Sequence, residues 1–227
     1  MEYLSTIFGS GSQGALEFLN QGGIIVWAIG LLSVITLTTI IWKALALAGL
    51  GAWSGGSATE KAVTAWQSGR DDEALSLLAD RNSTRASVAR AAIGAVSNPA
   101  FHSEDAEREI MRVAKARLGS ARSGLKLLEL IATIAPLLGL LGTVVGMIAA
   151  FQALQEAGAR ADPSTLAGGI WEALLTTAAG MAVAIPATMA LTYFESVVDR
   201  LRRDLEDIAT RILLPRKGPK PLSQAAE

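Results

Sequence analysis

The amino-acid sequence predicts an all-α integral membrane protein, with three transmembrane helices, long cytoplasmic helical extensions and a small cytoplasmic helical bundle. Three long apolar stretches without a charged residue carry the first part of this prediction. Charged residues are concentrated between the first two stretches and after the third, and they carry the second part. The distribution decides the class because the average does not: 51% of the 227 residues are apolar, and the mean hydropathy is only +0.38.

Each apolar stretch is long enough to cross a membrane, since a hydrocarbon core about 30 Å thick requires roughly 20 residues of helix. Around these stretches we place the predicted spans at residues 22–45, 127–154 and 170–195. Buried helices of a large soluble core are the competing interpretation, but too little other apolar sequence remains to enclose three of them. Residues 1–42 contain no Lys or Arg, so we expect no cleavable signal peptide there.

Basic residues predict the orientation of the spans. The segment 1–21 contains no Lys or Arg, and the connection 155–169 contains only Arg160. The segments 46–126 and 196–227 carry nearly all the others. Because basic segments stay in the cytoplasm, both are predicted to be cytoplasmic. The N-terminal segment and the short connection are then predicted to be periplasmic.

The segment 46–126 has the pattern of a small helical bundle. Three short helices are predicted first, at residues 59–68, 71–80 and 83–96. A fourth helix can be capped by Ser103, which precedes two acidic residues. No clear breaker follows, so we expect this helix to continue through Lys126 into the second span.

The segment 196–214 is predicted to extend the third span as an amphipathic helix. Its apolar residues recur at steps of three and four, at Val198, Leu201, Leu205, Ile208 and Ile212. This narrow stripe fits two interpretations, packing against partner helices or against the chain's own bundle. The polar, proline-containing segment 215–227 is predicted to be a disordered tail.

Small residues in the second and third spans predict close helix packing. In lipid, apolar burial gives no net drive for association, and small residues let helix backbones approach. Prolines inside these spans are predicted to kink the helices without breaking them. The candidate packing residues are Gly139, Gly142, Gly146, Gly180, Pro136 and Pro186. The first span contains large side chains instead and is predicted to face lipid.

Four polar residues in the second and third spans are candidates for a proton pathway: Glu172, Thr143, Thr176 and Thr177. Ionisable residues inside a membrane are functional candidates by default. Glu172 and Thr176 are four residues apart and are predicted to share a helix face. A threonine hydroxyl either lines a wet path or bonds back to its own helix. For Thr143 and Thr177, which stand among small residues, we favour the pore.

Other kinds of site find no support in the sequence. The net charge of −1 suggests no nucleic-acid partner. There is no cysteine, and the one histidine, His102, lies in a polar segment, so we expect neither a metal site nor histidine-based catalysis. No Gly-rich phosphate loop or nucleophile–base set is recognisable, so no cofactor and no enzymatic activity are predicted. Membrane lipid is an expected partner.

Two motifs carry a resemblance to a known family. The runs PLLGLLGTVVGMIAAF at residues 136–151 and GGIWEALLTTAAGMAVAIPA at residues 168–187 resemble the signature of the MotA/TolQ/ExbB proton channel family. The resemblance covers nearly the whole chain. Three spans, an outside N-terminus and a large cytoplasmic segment are similar to the ExbB/TolQ branch, whereas the MotA branch has four spans.

The resemblance implies a subunit of a proton-driven motor in the bacterial inner membrane. Such subunits form a homo-oligomer, a pentamer, around a pore lined by the second and third spans. An ExbD/TolR-like single-span protein brings the protonatable aspartate, and a TonB-like or TolA-like protein receives the work, for outer-membrane transport or envelope maintenance.

The family's pore threonines correspond to Thr143 and Thr177, and its glutamate to Glu172. Thr176 stands where ExbB proteins often have alanine, so this chain carries an additional hydroxyl. A membrane scaffold and a secondary transporter subunit are the alternative functions.

Overall fold

The computed structural model describes residues 23–54, 56–158 and 162–215, and these are almost entirely helical. In chain order the helices are α1 (Gly23–Gly49), α2 (Ser57–Gln67), α3 (Asp71–Ala79), α4 (Thr84–Ser97), α5 (Ser103–Arg122), α6 (Leu125–Ala157) and α7 (Pro163–Leu213). No strand occurs within these ranges, so the predicted all-α class is confirmed. The predicted segment 1–21, Arg160 and nearly all of the predicted tail lie outside the described residues.

Three helical stretches are long and apolar enough to cross a membrane: α1, the α5–α6 stretch Ser103–Ala157, and α7. The prediction of three spans is therefore confirmed. Pro136 lies inside α6 and Pro186 inside α7, and both helices continue through their proline.

The chain divides into two compact units, and the first comprises the described part of Met1–Ile41 together with Gly124–Thr192. Its buried core takes residues from α1, α6 and α7, namely Ile29, Ile131, Ala135, Val183, Ala184 and Ala187. Large apolar side chains remain exposed on all three helices, including Ile24 on α1, Leu137 on α6 and Met189 on α7. Surfaces suited to lipid or to other helices are therefore not restricted to the first span.

The second unit comprises Trp42–Ser123 and the described part of Tyr193–Glu227. Here α2 to α5 and the C-terminal part of α7 form the predicted helical bundle, whose largest buried side chains include Trp66, Leu78, Ile93, Ile110 and Ile212. The five apolar residues of the α7 stripe are each at most 4% exposed within the single chain. Of the two interpretations of that stripe, the structure therefore supports packing on the chain's own bundle.

Two arginines connect different helices of the second unit through hydrogen bonds and ion pairs. Arg85 on α4 is 5% exposed, and its Nε and Nη2 atoms contact Oδ2 of Asp204 on α7 at 2.8 and 2.7 Å. Its Nη1 atom donates to the carbonyl of Gly51 in the α1–α2 connection at 2.8 Å. Arg211 on α7 pairs with Glu60 on α2, and that hydrogen bond raises the pKa of the Arg211 guanidinium.

The structure differs from the sequence prediction at both ends of α5. The expected continuous helix through Lys126 is interrupted at Ser123–Gly124, where Gly124 has a φ of 81° in the left-handed region that favours glycine. At the other end His102, rather than Ser103, occupies the N-cap position, and its side chain makes no capping hydrogen bond.

Helix α7 also begins earlier than predicted, at Pro163 instead of residue 170, so the connection after α6 is shorter. Proline suits the first position of a helix because its missing N–H would have no partner there. Asp162 precedes it and accepts hydrogen bonds from the Ser164 hydroxyl at 2.6 Å and the Ser164 backbone N–H at 2.9 Å. Those bonds hold the pKa of Asp162 below its usual range.

Candidate functional site

Helices α6 and α7 meet along a line of small residues that we call the α6–α7 seam: Ala135, Gly139, Gly142, Gly146 and Ala150 on α6, with Gly169, Ala173, Thr176 and Gly180 on α7. A Cβ atom added to Gly180 would lie 2.5 Å from the Ala135 carbonyl oxygen. One added to Gly142 would lie 2.6 Å from the Thr176 Cβ atom. Cβ atoms essentially never approach within 3.0 Å, so this helix separation requires glycine at both positions.

The two adjacent threonines of α7 share one acceptor across the seam. The hydroxyl of Thr176 lies 2.7 Å from the Ala173 carbonyl oxygen and 3.1 Å from the Gly139 carbonyl oxygen. The hydroxyl of Thr177 donates to the same Gly139 oxygen at 3.0 Å. Thr176 is 4% exposed, whereas Thr177 is only half-buried. Thr176 is therefore enclosed between the helices, and Thr177 stands at the edge of the seam.

Thr143 does not join this cluster. Its hydroxyl donates to the Leu140 carbonyl of its own helix at 2.7 Å, and its side chain is half-buried. Of the two roles that the sequence allowed for a threonine hydroxyl, lining a wet path or bonding to its own helix, Thr143 shows the second. In the single chain, therefore, Thr176 and Thr177 bond to α6 at Gly139, and the Thr143 hydroxyl bonds to its own helix instead.

Glu172 lies on the exposed surface of α7. It makes no hydrogen bond or ion pair with any residue that the structure describes. Thr176, four residues later, is buried. The two residues were predicted to share one helix face, but only Glu172 is exposed. The carboxylate is thus available to a group outside the described chain.

Two buried threonines of α1 were missed by sequence reasoning. Thr36 and Thr39 are 4% and 7% exposed, and their hydroxyls donate to the carbonyls of Leu32 and Ile35, each at 2.7 Å. Their position three residues apart within an apolar run was the available signal, because polar residues in a span usually face other helices. Because both hydroxyls donate to carbonyls of their own helix, these buried residues can pack against neighbouring side chains without a polar partner there.

No group of three or more metal-ligating side chains occurs among the residues with described positions. Away from their ends, the predicted spans contain mainly hydroxyl groups and backbone carbonyls as polar groups, whereas Lys43, Glu129, Glu172 and Glu195 stand near the ends. Such a set can hold water or pass a hydrogen bond along a helix surface.

Curated relatives share names from one branch of a single family. The chain is 44% identical over 84 residues to biopolymer transport protein exbB1 of Vibrio cholerae, covering 37% of each chain. It is 32% identical over 126 residues to ExbB of Xanthomonas campestris, covering 52% of this chain and 49% of that one. It is 42% identical over 77 residues to TolQ of Haemophilus influenzae, covering 34% and 33%. The matches thus span about a third to a half of these relatives.

The three long apolar helices support a multi-pass membrane protein. The sequence profile of the MotA/TolQ/ExbB proton channel family matches residues 80–207, which is more than half of the chain and contains α6 and most of α7. The chain belongs to the MotA/TolQ/ExbB proton channel family.

Proposed function

We propose that this chain is an ExbB/TolQ-like subunit of an inner-membrane motor that converts proton motive force into mechanical work through an ExbD/TolR-like partner. The work would power TonB-dependent outer-membrane transport or Tol-type envelope maintenance. The family match across α6 and α7, which carry both sequence motifs, is the observation that supports this proposal most strongly. The relatives include a biopolymer transport protein and a Tol-Pal system protein, so the proposal includes both uses.

The geometry of the seam supports a division of labour between the two threonines. We assign Thr177 to the pore because its hydroxyl stands at the edge of the seam, and Thr176 to helix packing because it is enclosed. Thr143 would reach the pore from the half-exposed side of α6, and Glu172 would stand at the pore entrance.

A partner is required because the described spans lack a proton carrier of their own. Within the predicted spans the ionisable residues among described positions stand near the ends, as Lys43, Glu129, Glu172 and Glu195 do. A proton crossing the membrane provides about 2.3 kcal/mol per 100 mV, so repeated crossings are needed for mechanical work. A ring of identical subunits, proposed here as a pentamer, around a partner helix that brings an aspartate would allow such repeated, equivalent steps.

The proposal includes the predicted topology. Residues 46–126 and 196–227 would lie in the cytoplasm, and residues 1–21 and the connection between α6 and α7 in the periplasm. The exposed apolar faces of α1, α6 and α7 would then be shared among lipid, neighbouring subunits and the partner helix.

Native mass spectrometry of the detergent-solubilised full chain, alone and co-expressed with a single-span ExbD/TolR-like protein, tests this function. We expect five copies of the chain, with the partner bound on co-expression. A monomer or dimer that ignores the partner would contradict the motor subunit and favour a membrane scaffold or a secondary transporter subunit.

A further inference from the structure

The interruption between α5 and α6, residues 123–124, coincides with a buried lysine from a distant part of the sequence. Lys43 on α1 is 1% exposed. Its Nζ atom donates to the carbonyl of Ala121, in the last turn of α5, at 2.5 Å and to that of Ser123, in the interruption, at 2.6 Å. A helix leaves its last four carbonyls without intrahelical partners, and a lysine near that end satisfies them and complements the helix dipole.

The two carbonyls that Lys43 holds are also those that an uninterrupted helix would use. In a continuous α-helix each N–H donates to the carbonyl four residues earlier, so Leu125 would donate to Ala121 and Leu127 to Ser123. Neither of these two N–H groups donates to a backbone carbonyl of the described residues, and the first backbone bond of α6 at this end joins the Leu128 N–H to the Gly124 carbonyl at 3.4 Å. The lysine therefore supplies donors to two carbonyls that the downstream backbone would satisfy in a continuous helix.

The backbone at Gly124 makes the interrupted state accessible. Its φ of 81° costs a residue with a side chain far more than it costs glycine. The flanking sequence is otherwise compatible with a continuous helix, which is why the sequence predicted one. The balance between the two states thus depends on one glycine and one side chain that lies about 80 residues away, as the sequence separations of 78 and 80 show.

We propose that residues 121–127 form a two-state element, either interrupted at Gly124 or continuous in helical hydrogen bonding, and that Lys43 stabilises the interrupted state by donating to the carbonyls of Ala121 and Ser123, which have no helical N–H partner there. Any event that withdraws the Lys43 amino group favours the continuous state. This inference is independent of the proposed motor function, because it concerns local hydrogen bonding and requires neither a ring nor a partner.

Amide hydrogen exchange resolved to single residues, on the full chain in lipid nanodiscs, tests the proposal. In the native chain the N–H groups of Leu125 and Leu127 should exchange quickly. In Lys43→Met, which keeps the apolar stem, exchange at both should slow at least tenfold, and Lys43→Arg should stay close to the native chain because it retains donors. The matched control Lys61→Met, at an exposed position on α2, should change nothing.

Gly124→Ala provides a second, independent variant, because its Cβ disfavours the interrupted state while Lys43 remains in place. It too should slow exchange at Leu125 and Leu127, whereas Gly119→Ala, inside α5 with open space around it, should not. Slow exchange at both amides in the native chain would overturn the proposal. So would native-like fast exchange in Gly124→Ala, or in a Lys43→Met chain whose α4 core amides remain protected.

Discussion

The two units of the chain bury different kinds of polar side chain. In the unit that contains α6, the buried polar residues among described positions are Thr36, Thr39 and Thr176, and each hydroxyl donates to a helix carbonyl. In the second unit, the buried set includes the charged residues Lys43 and Arg85, and each has at least two oxygen acceptors. In the first unit, each buried hydroxyl donates to a carbonyl of its own helix. In the second unit, each buried charge donates to oxygen atoms from more than one residue.

This difference follows from what surrounds each unit. Burying a hydroxyl costs little when a carbonyl of its own helix accepts the hydrogen bond, so threonine suits an apolar helix. Burying a charge requires several acceptors or a counter-ion, which loops and helix ends supply and the middle of a span does not. Side-chain size differs too: the α6–α7 seam is closed by glycine and alanine, whereas the bundle core contains Trp66 and several isoleucines.

The largest effect should come from removing the buried charge of the bundle. Arg85→Met removes the guanidinium and leaves the Asp204 carboxylate and the Ala52 carbonyl without their donor. Breaking a buried pair from one side costs about 3–5 kcal/mol, and the partial exposure of Asp204 places the expected loss of unfolding free energy near the lower end. Equilibrium unfolding in mixed micelles, followed by the fluorescence of Trp66 and the other tryptophans, measures this loss.

The control for that variant is Arg108→Met on α5. Arg108 also forms ion pairs, with Glu104 and Asp105, but its side chain is 76% exposed. Exposed pairs of this kind contribute little, so the unfolding free energy should hardly change. Equal destabilisation by the two variants would show that the bundle does not depend on its buried charge, and the contrast between the units would lose its clearest example.

A smaller effect is expected from enlarging one glycine of the seam. In Gly180→Ala the new Cβ would lie 2.5 Å from the Ala135 carbonyl oxygen and 3.1 Å from the Gly139 Cα atom, so the helices must separate. Overpacking of this kind costs about 1–3 kcal/mol. Gly168→Ala, on the same helix with open space around it, is the matched control and should leave stability unchanged or slightly higher. Unfolding in mixed micelles measures both, and a stable Gly180→Ala chain would contradict the close approach of α6 and α7.

Regular repetition explains which features could be predicted from the sequence. The three spans follow from uninterrupted apolar stretches, and the α7 stripe follows from apolar residues at steps of three and four, all of which are buried. These patterns report on one helix at a time. The two family motifs added the family, and they lie on α6 and α7, within the matched region.

Features that depend on pairs of distant residues could not be predicted in this way. The interruption at Gly124 is accompanied by Lys43, which precedes it by about 80 residues, as the separations of 78 and 80 to its two acceptors show. Arg85 and Asp204 are 119 residues apart, and neither residue type is unusual for a solvated helix. The choice between Thr176 and Thr177 depends on the rotation of α7 against α6, which sequence periodicity does not determine.

The smallest expected change in stability concerns Thr176 and Thr177. Replacing each in turn distinguishes a role in helix packing from a role in proton conduction. Thr176→Val keeps the side-chain shape but removes a buried hydroxyl, which should cost about 1 kcal/mol of unfolding free energy, in the range measured for polar groups between membrane helices. Thr177→Val removes a half-buried hydroxyl bonded to the same Gly139 oxygen and should cost less. If Thr177 lines the pore, only its replacement should lower proton flux, measured with a pH-sensitive dye in proteoliposomes containing the partner.

Thr177→Ser, which retains the hydroxyl, should restore the flux lost in Thr177→Val, and Thr192→Val on the exposed surface of α7 should affect neither quantity. The reverse result, flux lost in Thr176→Val with stability intact, would place the enclosed threonine on the proton path and require α6 and α7 to separate in the working complex. The α6–α7 seam would then describe the resting chain and not the working complex. The contrast between the hydroxyls of the first unit and the buried charges of the second would hold only for the resting chain.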